Sequence, residues 1–177
     1  MAGAVDPCLR GLSPEGEGLA DRAAPEAGPW RRRLSPPRLA LGLGALALGL
    51  HASVWGGDPA WGQAPAAGLA LLGLGLGLMV WALRRFGQAH TPSRPGQVPQ
   101  LLLDEGPFAL SRNPMYLGKA LGLAGLGLAL GVPALLGAAV AFMAAVQVLH
   151  IRPEEVLMRQ RFGGWYTDYA ARVRRWL

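Results

Sequence analysis

Two short polar stretches break an otherwise apolar chain. The first reads Ser111-Arg112-Asn113-Pro114-Met115-Tyr116-Leu117-Gly118, and the second is His150 followed by Glu154-Glu155. Groups of these types suit a ligand that carries charges of both signs. An arginine takes a carboxylate through a two-pronged pair. A glutamate accepts from a cationic or neutral donor, and an aromatic ring can lie against a cation. If a proton has to leave an acceptor, His150, Glu154 and Glu155 are the candidate bases. Hydrolytic and metal chemistry are poorly served. His51, His90 and His150 are far apart with no cysteine cluster beside them. Ser111 lacks the glycine-flanked strand-to-helix setting of an activated nucleophile.

Each of these residues also has a plainer role. Arg112 and Tyr116 suit a membrane interface, and Lys119 can snorkel back toward it. Asn113-Pro114 suits a turn ahead of a helix. Glu154 and Glu155 suit a helix's first turn, and His150 a helix end. What favours chemistry is that all of them fall at one depth on one side of a membrane, and the apolar segments set that depth.

The chain has 177 residues, 51% of them hydrophobic and 16% charged, with 26 Gly and 15 Pro. Soluble domains usually carry nearer a quarter charged residues, and here the apolar ones form long runs. Four spans are expected: Leu39 to Trp55, Ala67 to Leu83, Tyr116 to Leu130 and Ala134 to Leu149. Trp55, Trp61 and Trp81 can sit in the interface and extend them. The alternation Leu72-Gly73-Leu74-Gly75-Leu76-Gly77-Leu78 has a strand's period, but a lone strand cannot satisfy its backbone in lipid, so a helix is expected. Gly73 with Gly77, Gly118 with Gly122 and Gly127 with Gly131 would each share a small helix face that permits close packing. The fold class is therefore all-α: a polytopic membrane protein with about four transmembrane helices.

The net charge is +6, and its placement sets the topology. Arginines precede the first span (Arg31, Arg32, Arg33, Arg38), separate the second from the third (Arg84, Arg85, Arg94, Arg112) and follow the fourth (Arg152, Arg159, Arg161, Arg172, Arg174, Arg175). The two remaining connections have neither Lys nor Arg. By the positive-inside rule both termini are cytosolic. The arginines border apolar runs and form no continuous basic face, so no nucleic-acid partner is expected.

Residues 1–30 read as a disordered leader, rich in Gly, Ala, Pro and acidic residues. Arg31-Arg32 ahead of an apolar run has the look of a twin-arginine export signal, but it lies far from the first residue and further spans follow. The single cysteine, Cys8, has no intramolecular partner. Residues 31–177 form the membrane domain.

Pro133 should open the fourth helix and make spans three and four a tight hairpin. That hairpin returns His150, Glu154 and Glu155 to the face where Arg112 and Asn113 enter. A short helix is expected from Pro153 to Phe162, ended by Gly163-Gly164. A second, from Trp165 to Trp176, would put Tyr166, Tyr169, Val173 and Trp176 on one face. It would act as an amphipathic cytosolic cap, able to fold over the helix ends.

Gly106-Pro107-Phe108, Arg112-Asn113-Pro114-Met115-Tyr116-Leu117-Gly118, Glu154-Glu155, Phe162-Gly163 and Tyr166/Tyr169, with Thr91-Pro92 and Pro99 upstream, resemble the isoprenylcysteine carboxyl methyltransferase family. More broadly they resemble the membrane phospholipid methyltransferase superfamily. The resemblance covers roughly residues 84–177, which would be the cofactor-binding part. It implies methyl transfer from S-adenosylmethionine to a lipid or lipid-linked carboxylate, thiol or amine at the cytosolic face. Carried over by position, Arg112, Asn113, Pro114, Tyr116 and Gly118 would shape one wall of the cofactor pocket and His150, Glu154 and Glu155 the other. Arg112 and Glu155 would serve catalysis. The eukaryotic carboxyl methyltransferases have His where this chain has Asn113, the form common in bacterial relatives, which points to a bacterial inner membrane. The resemblance implies an amphiphilic small-molecule partner and says nothing of oligomeric state. The rival readings are a non-catalytic membrane scaffold that keeps the fold and a reductase of the related sterol-reductase group. The latter would need a nicotinamide site for which the chain offers no separate phosphate-binding cluster.

Overall fold

Proline opens most of the described helices. The structure, a computed structural model, describes residues 35–88 and 102–177. Among these, α1 (Pro36–Trp55), α2 (Pro65–Gln88), α3 (Pro107–Leu110), α4 (Pro114–Leu130) and α5 (Pro133–Val146) all begin at a proline. Proline's fixed φ suits the first turn, where its missing N–H would have no helical acceptor anyway. A π turn (Gln147–Ile151), α6 (Arg152–Phe162) and α7 (Gly164–Arg172) complete the described fold, which contains no strand. The expected leader over residues 1–30, Cys8, Arg31 to Arg33, His90, Thr91-Pro92, Arg94 and Pro99 lie outside the described residues.

Among the described residues three helical stretches are long and apolar enough to cross a membrane: Pro36–Trp55, Pro65–Gln88 and the continuous rod Pro133–Phe162. α4 is a shorter apolar helix of 17 residues, about 25 Å long at 1.5 Å per residue. Leu41, Leu46, Leu74, Leu76 and Val140 are exposed along these helices, as side chains facing lipid must be. The chain is an all-helical integral membrane protein, in agreement with the sequence reading.

α4 is central, with α2 against one side and α5 against the other, and α1 lies chiefly on α5. Phe142, Leu135 and Val146 of α5 are the best buried side chains of the core, packed with Ala120 and Leu123 of α4 and Ala47 of α1. The α2–α4 contact is made by backbone. A Cβ on Gly75 would lie 2.5 Å from the Gly118 carbonyl oxygen, and one on Gly125 would lie 2.7 Å from that of Gly68. The two pairs match in reverse order, so the helices run antiparallel. The glycine spacing used is therefore seven, not the expected four. Gly73 and Gly77 face open space, and Gly122 makes only ordinary contact with Leu72 at 3.7 Å. A seam that recurs every two turns needs small residues at i and i+7, whereas a single steep crossing would use i and i+4.

At one end of the bundle the α1–α2 connection ties to the turn after α4. The Ala60 N–H donates to the Gly131 carbonyl at 3.0 Å, and the Ala64 N–H to that of Leu128 at 3.1 Å. Gly131, at φ 69°, ends α4 in the left-handed conformation, and Pro133 starts α5 two residues on. This is the hairpin the sequence leads one to expect.

The other end departs from expectation twice. The fourth helix does not stop at Leu149; it continues through the π turn into α6. Pro153 has no N–H to give, and its ring crowds the carbonyl one turn back. The wider π turn immediately before it accommodates that fault, with the Arg152 N–H reaching back to the Gln147 carbonyl. The resulting rod of 30 residues is about 45 Å long, well beyond a hydrocarbon core of about 30 Å. Its last turns therefore stand clear of the membrane. The final helix, expected to reach Trp176, ends at Arg172, and Val173 is extended at φ −114°, ψ 129°. Tyr166, Tyr169 and Val173 share one apolar cluster as anticipated, but Trp176 leaves it and packs against the main core.

The seam gives a paired test. Gly75→Ala should destabilise the detergent-solubilised protein by roughly 1–3 kcal/mol through overpacking. Gly73→Ala, which meets open space, should leave the thermal midpoint unchanged or slightly raised, since Ala is the better helix former.

Candidate functional site

The polar end of the bundle is assembled from four places in the sequence. α3 is a single turn, and Ser111, extended after it, begins a corner that turns the chain into α4. α3 is held from two sides. Phe108 packs edge-on against Phe86 of α2 at 5.3 Å. The Tyr169 hydroxyl of α7 donates to the Phe108 carbonyl at 2.8 Å in a buried setting. Burial pushes the Tyr169 phenol up, and burial followed by the charge of Glu155 does the same for Tyr166, so both stay neutral.

Two adjoining clusters result, one for each glutamate. Glu155 is buried at 5% exposure and is surrounded by guanidinium groups. Arg175 donates from Nε to Oε1 at 2.7 Å and from Nη2 to Oε2 at 2.8 Å. Arg112 Nη1 stands 3.2 Å from Oε1, and Arg159 Nη2 stands 3.9 Å from Oε2. Arg112 Nη1 also donates to the Tyr166 hydroxyl at 3.4 Å. The paired fork is the geometry in which a guanidinium binds a carboxylate best, and hydrogen bonding to Glu155 pushes Arg175 up. The exposed Arg159 adds little. Among the described residues, Arg112 Nε is buried with no partner.

Glu154, one residue earlier and so turned about 100° around the helix, faces Tyr116 instead. The Tyr116 hydroxyl donates to it at 3.1 Å. His150, buried in the π turn, lies with its ring 6.4 Å from that of Tyr116. Lys119 turns back toward the start of α4, donating to the Met115 carbonyl at 3.2 Å with its ammonium 5.7 Å from the Tyr116 ring centre.

The structure thus brings together Arg112, Asn113, Tyr116, His150, Glu154 and Glu155, residues up to 43 positions apart in the chain. Pro114 is buried at the first turn of α4, where it fixes the corner. Gly118 is elsewhere: it faces α2 across the glycine seam, and its role here is to let the two helices meet. Four residues the sequence reading did not assign to the site belong to its framework. Ser111, fully buried, donates to the Arg175 carbonyl at 3.0 Å and accepts from the Asn113 N–H at 3.1 Å. Tyr166 meets Arg112, Arg175 pairs with Glu155, and Trp176, next to Arg175, packs against the main core. Tyr166 carried a signal in its place on an amphipathic face. Arg175 carried none, since on a continued helix it would point away.

Breaking the pair at Glu155 leaves Arg112 buried and uncompensated. Glu155→Ala should cost about 3–5 kcal/mol of stability, read by denaturant unfolding in micelles. The double variant Arg112→Ala/Glu155→Ala should cost clearly less than the sum of the two single changes, and strict additivity would show that the two groups do not interact.

A family model described as phospholipid methyltransferase matches residues 64–164. No curated protein and no solved structure matches the chain. The family match starts with α2 and runs through the corner, the hairpin, the π turn and both glutamates, stopping at the first residue of α7. It spans more than half of the chain, including Arg112, Tyr116, His150, Glu154 and Glu155, and the protein belongs to the phospholipid methyltransferase family.

Proposed function

We propose that this protein transfers a methyl group from S-adenosylmethionine to an amphiphile that enters sideways from the cytosolic leaflet of a bacterial inner membrane. Membership of the family already implies methyl transfer to lipid-type acceptors. The observation that carries the cofactor reading is the pairing of two unlike clusters on adjacent faces of α6. Around Glu155 three guanidinium groups stand against one carboxylate. That surplus of positive charge suits the cofactor's carboxylate, and the buried, unpartnered Nε of Arg112 is a donor available to it. On the other side Glu154 brings a carboxylate and Tyr116 an aromatic ring with a hydroxyl. That side suits an ammonium or ribose hydroxyls and can lie against a sulfonium. The donor set therefore fits the cofactor.

S-adenosylmethionine, when bound, supplies an electrophilic methyl group. The work left to the protein is positioning, because an in-line displacement gains most from holding the partners close and aligned. Arg112 and Glu155 act as a fixed charged wall, and Asn113 and Pro114 hold the corner from which Arg112 projects. His150, Glu154 and Tyr116 form the opposite wall. An amine acceptor would also need a base, and Glu154 or His150 is placed to take its proton; a carboxylate or thiolate acceptor would not.

The orientation rests on charge. The described cations at the site end include Arg38, Arg84, Arg85, Arg112, Arg152, Arg159 and Arg161, whereas the connection 56–64 at the far end has no Lys or Arg. That asymmetry supports the reading in which the site faces the cytosol.

Calorimetric titration of the solubilised protein with S-adenosylmethionine tests the site. Arg112→Ala and Glu155→Ala should each abolish measurable binding while membrane insertion is kept; wild-type affinity in both would remove the assignment. Incubating lipid extracts with the protein and isotope-labelled S-adenosylmethionine, followed by mass spectrometry, should reveal one labelled lipid class. No labelled lipid from a protein that binds the cofactor would count against turnover.

A further inference from the structure

Residues 173–177 lie beyond the family match and run past the corner and Glu155 as a non-helical strap. Its contacts reach both halves of the site at once. The Arg112 N–H donates to the Arg174 carbonyl at 3.0 Å. The Arg175 carbonyl accepts from Ser111 Oγ at 3.0 Å and from Asn113 Nδ2 at 3.1 Å. The Arg175 side chain turns the other way and forks onto Glu155 of α6.

We propose that Arg175 is a positioning residue of the methyltransferase site: its carbonyl sets the Ser111–Asn113 corner while its guanidinium sets Glu155, so that one residue fixes the corner and α6, the two parts of the charged wall, relative to each other. The functional half of this proposal rests on the cofactor reading above. The structural half rests on geometry alone.

Without the fork, Glu155 Oε2 would keep only Arg159, at 3.9 Å and with a side chain 52% exposed. An exposed pair at that distance holds nothing in place. Oε1 would keep Arg112 at 3.2 Å, but through one contact that leaves the carboxylate plane to rotate. The backbone carbonyl shared by Ser111 and Asn113 would remain, but the strap that carries it would lose its side-chain anchor on α6, and with it the hold on the corner that carries Arg112. A lysine can substitute only in part, because an ammonium is a point charge without the planar fork.

The same contacts would also be made by an inhibitory strap that has to leave before a ligand enters. Two observations favour positioning. Trp176, next to Arg175, packs against the main core, so releasing the strap would expose apolar surface. The strap also holds the corner through backbone groups, so its departure would undo the site that it was supposed to uncover.

The test uses the full chain in detergent and two readouts. Hydrogen exchange at the Arg112 and Asn113 amides needs no ligand, and S-adenosylmethionine titration reports the site. Arg175→Ala should speed exchange at both amides and weaken cofactor binding roughly tenfold or more, the scale of losing a hydrogen bond to a charged group. Arg175→Lys should recover only part of each effect. Arg172→Ala, which removes a nearby positive charge outside this network, should change neither, and the thermal midpoint of the Lys variant should stay near that of the wild type. Unchanged exchange in Arg175→Ala overturns the proposal, and so does tighter cofactor binding, which would mark an inhibitory strap. If Arg175→Ala does not fold, Arg175→Lys decides: wild-type exchange and affinity overturn the proposal, and intermediate values support it. A wild-type protein that binds no S-adenosylmethionine, with exchange still responding to Arg175, would sink the cofactor reading while supporting the positioning role.

Discussion

A carboxylate buried at the rim of an apolar bundle stays charged only if cations come to it. Glu155 is in that position, and much of the polar end of this protein is arranged to satisfy it. One cation arrives from the corner before α4, one from the strap after α7 and one from the next turn of its own helix. A buried ion pair of this kind is a poor source of net stability, because desolvation offsets most of the attraction. It is a good way to fix geometry, because every departure leaves a charge unpaired. The arrangement therefore reads as one kept for the shape it imposes.

That shape depends on parts that carry no charge. The glycine seam lets α2 and α4 approach backbone to backbone, which sets the tilt of α4 and hence the place where Arg112 and Tyr116 emerge. Phe86 of α2 against Phe108 of α3 carries the same positioning to the corner from the side. The hairpin at Gly131 fixes how far down the rod His150 and the glutamates come to stand level with Tyr116. Lipid makes this framework stiff, since a helix within it has nowhere else to satisfy its backbone.

The spans, the hairpin and the meeting of Arg112 with Glu155 could be read from the sequence because their signals are local. Apolar runs report spans, prolines report helix starts, and a tight turn returns the chain to where it left. The glycine seam was harder. The chain offers glycines at spacings of two, four and seven, and which face is used depends on the partner helix. Gly118 had a motif's credentials, yet its position is explained by Gly75 across the seam. The π turn has no local signature beyond a proline that should have ended the helix. The strap was missed because the pattern through Tyr169 and Val173 fits a helix, and only the distant Ser111–Asn113 corner gives the chain a reason to leave it.

The π turn also has a bearing on how this chain can vary. One extra residue there sets the angular phase of everything downstream. If the same residues between Val146 and Arg152 wound as a regular α-helix, Glu154 and Glu155 would swing by about a quarter-turn. Each carboxylate would then face the other's partners or none. Loss of one residue there together with the return to regular winding would cancel that swing, whereas either change alone would not. A chain of this lineage one residue shorter in that stretch should therefore carry a regular α-helix in place of the π turn.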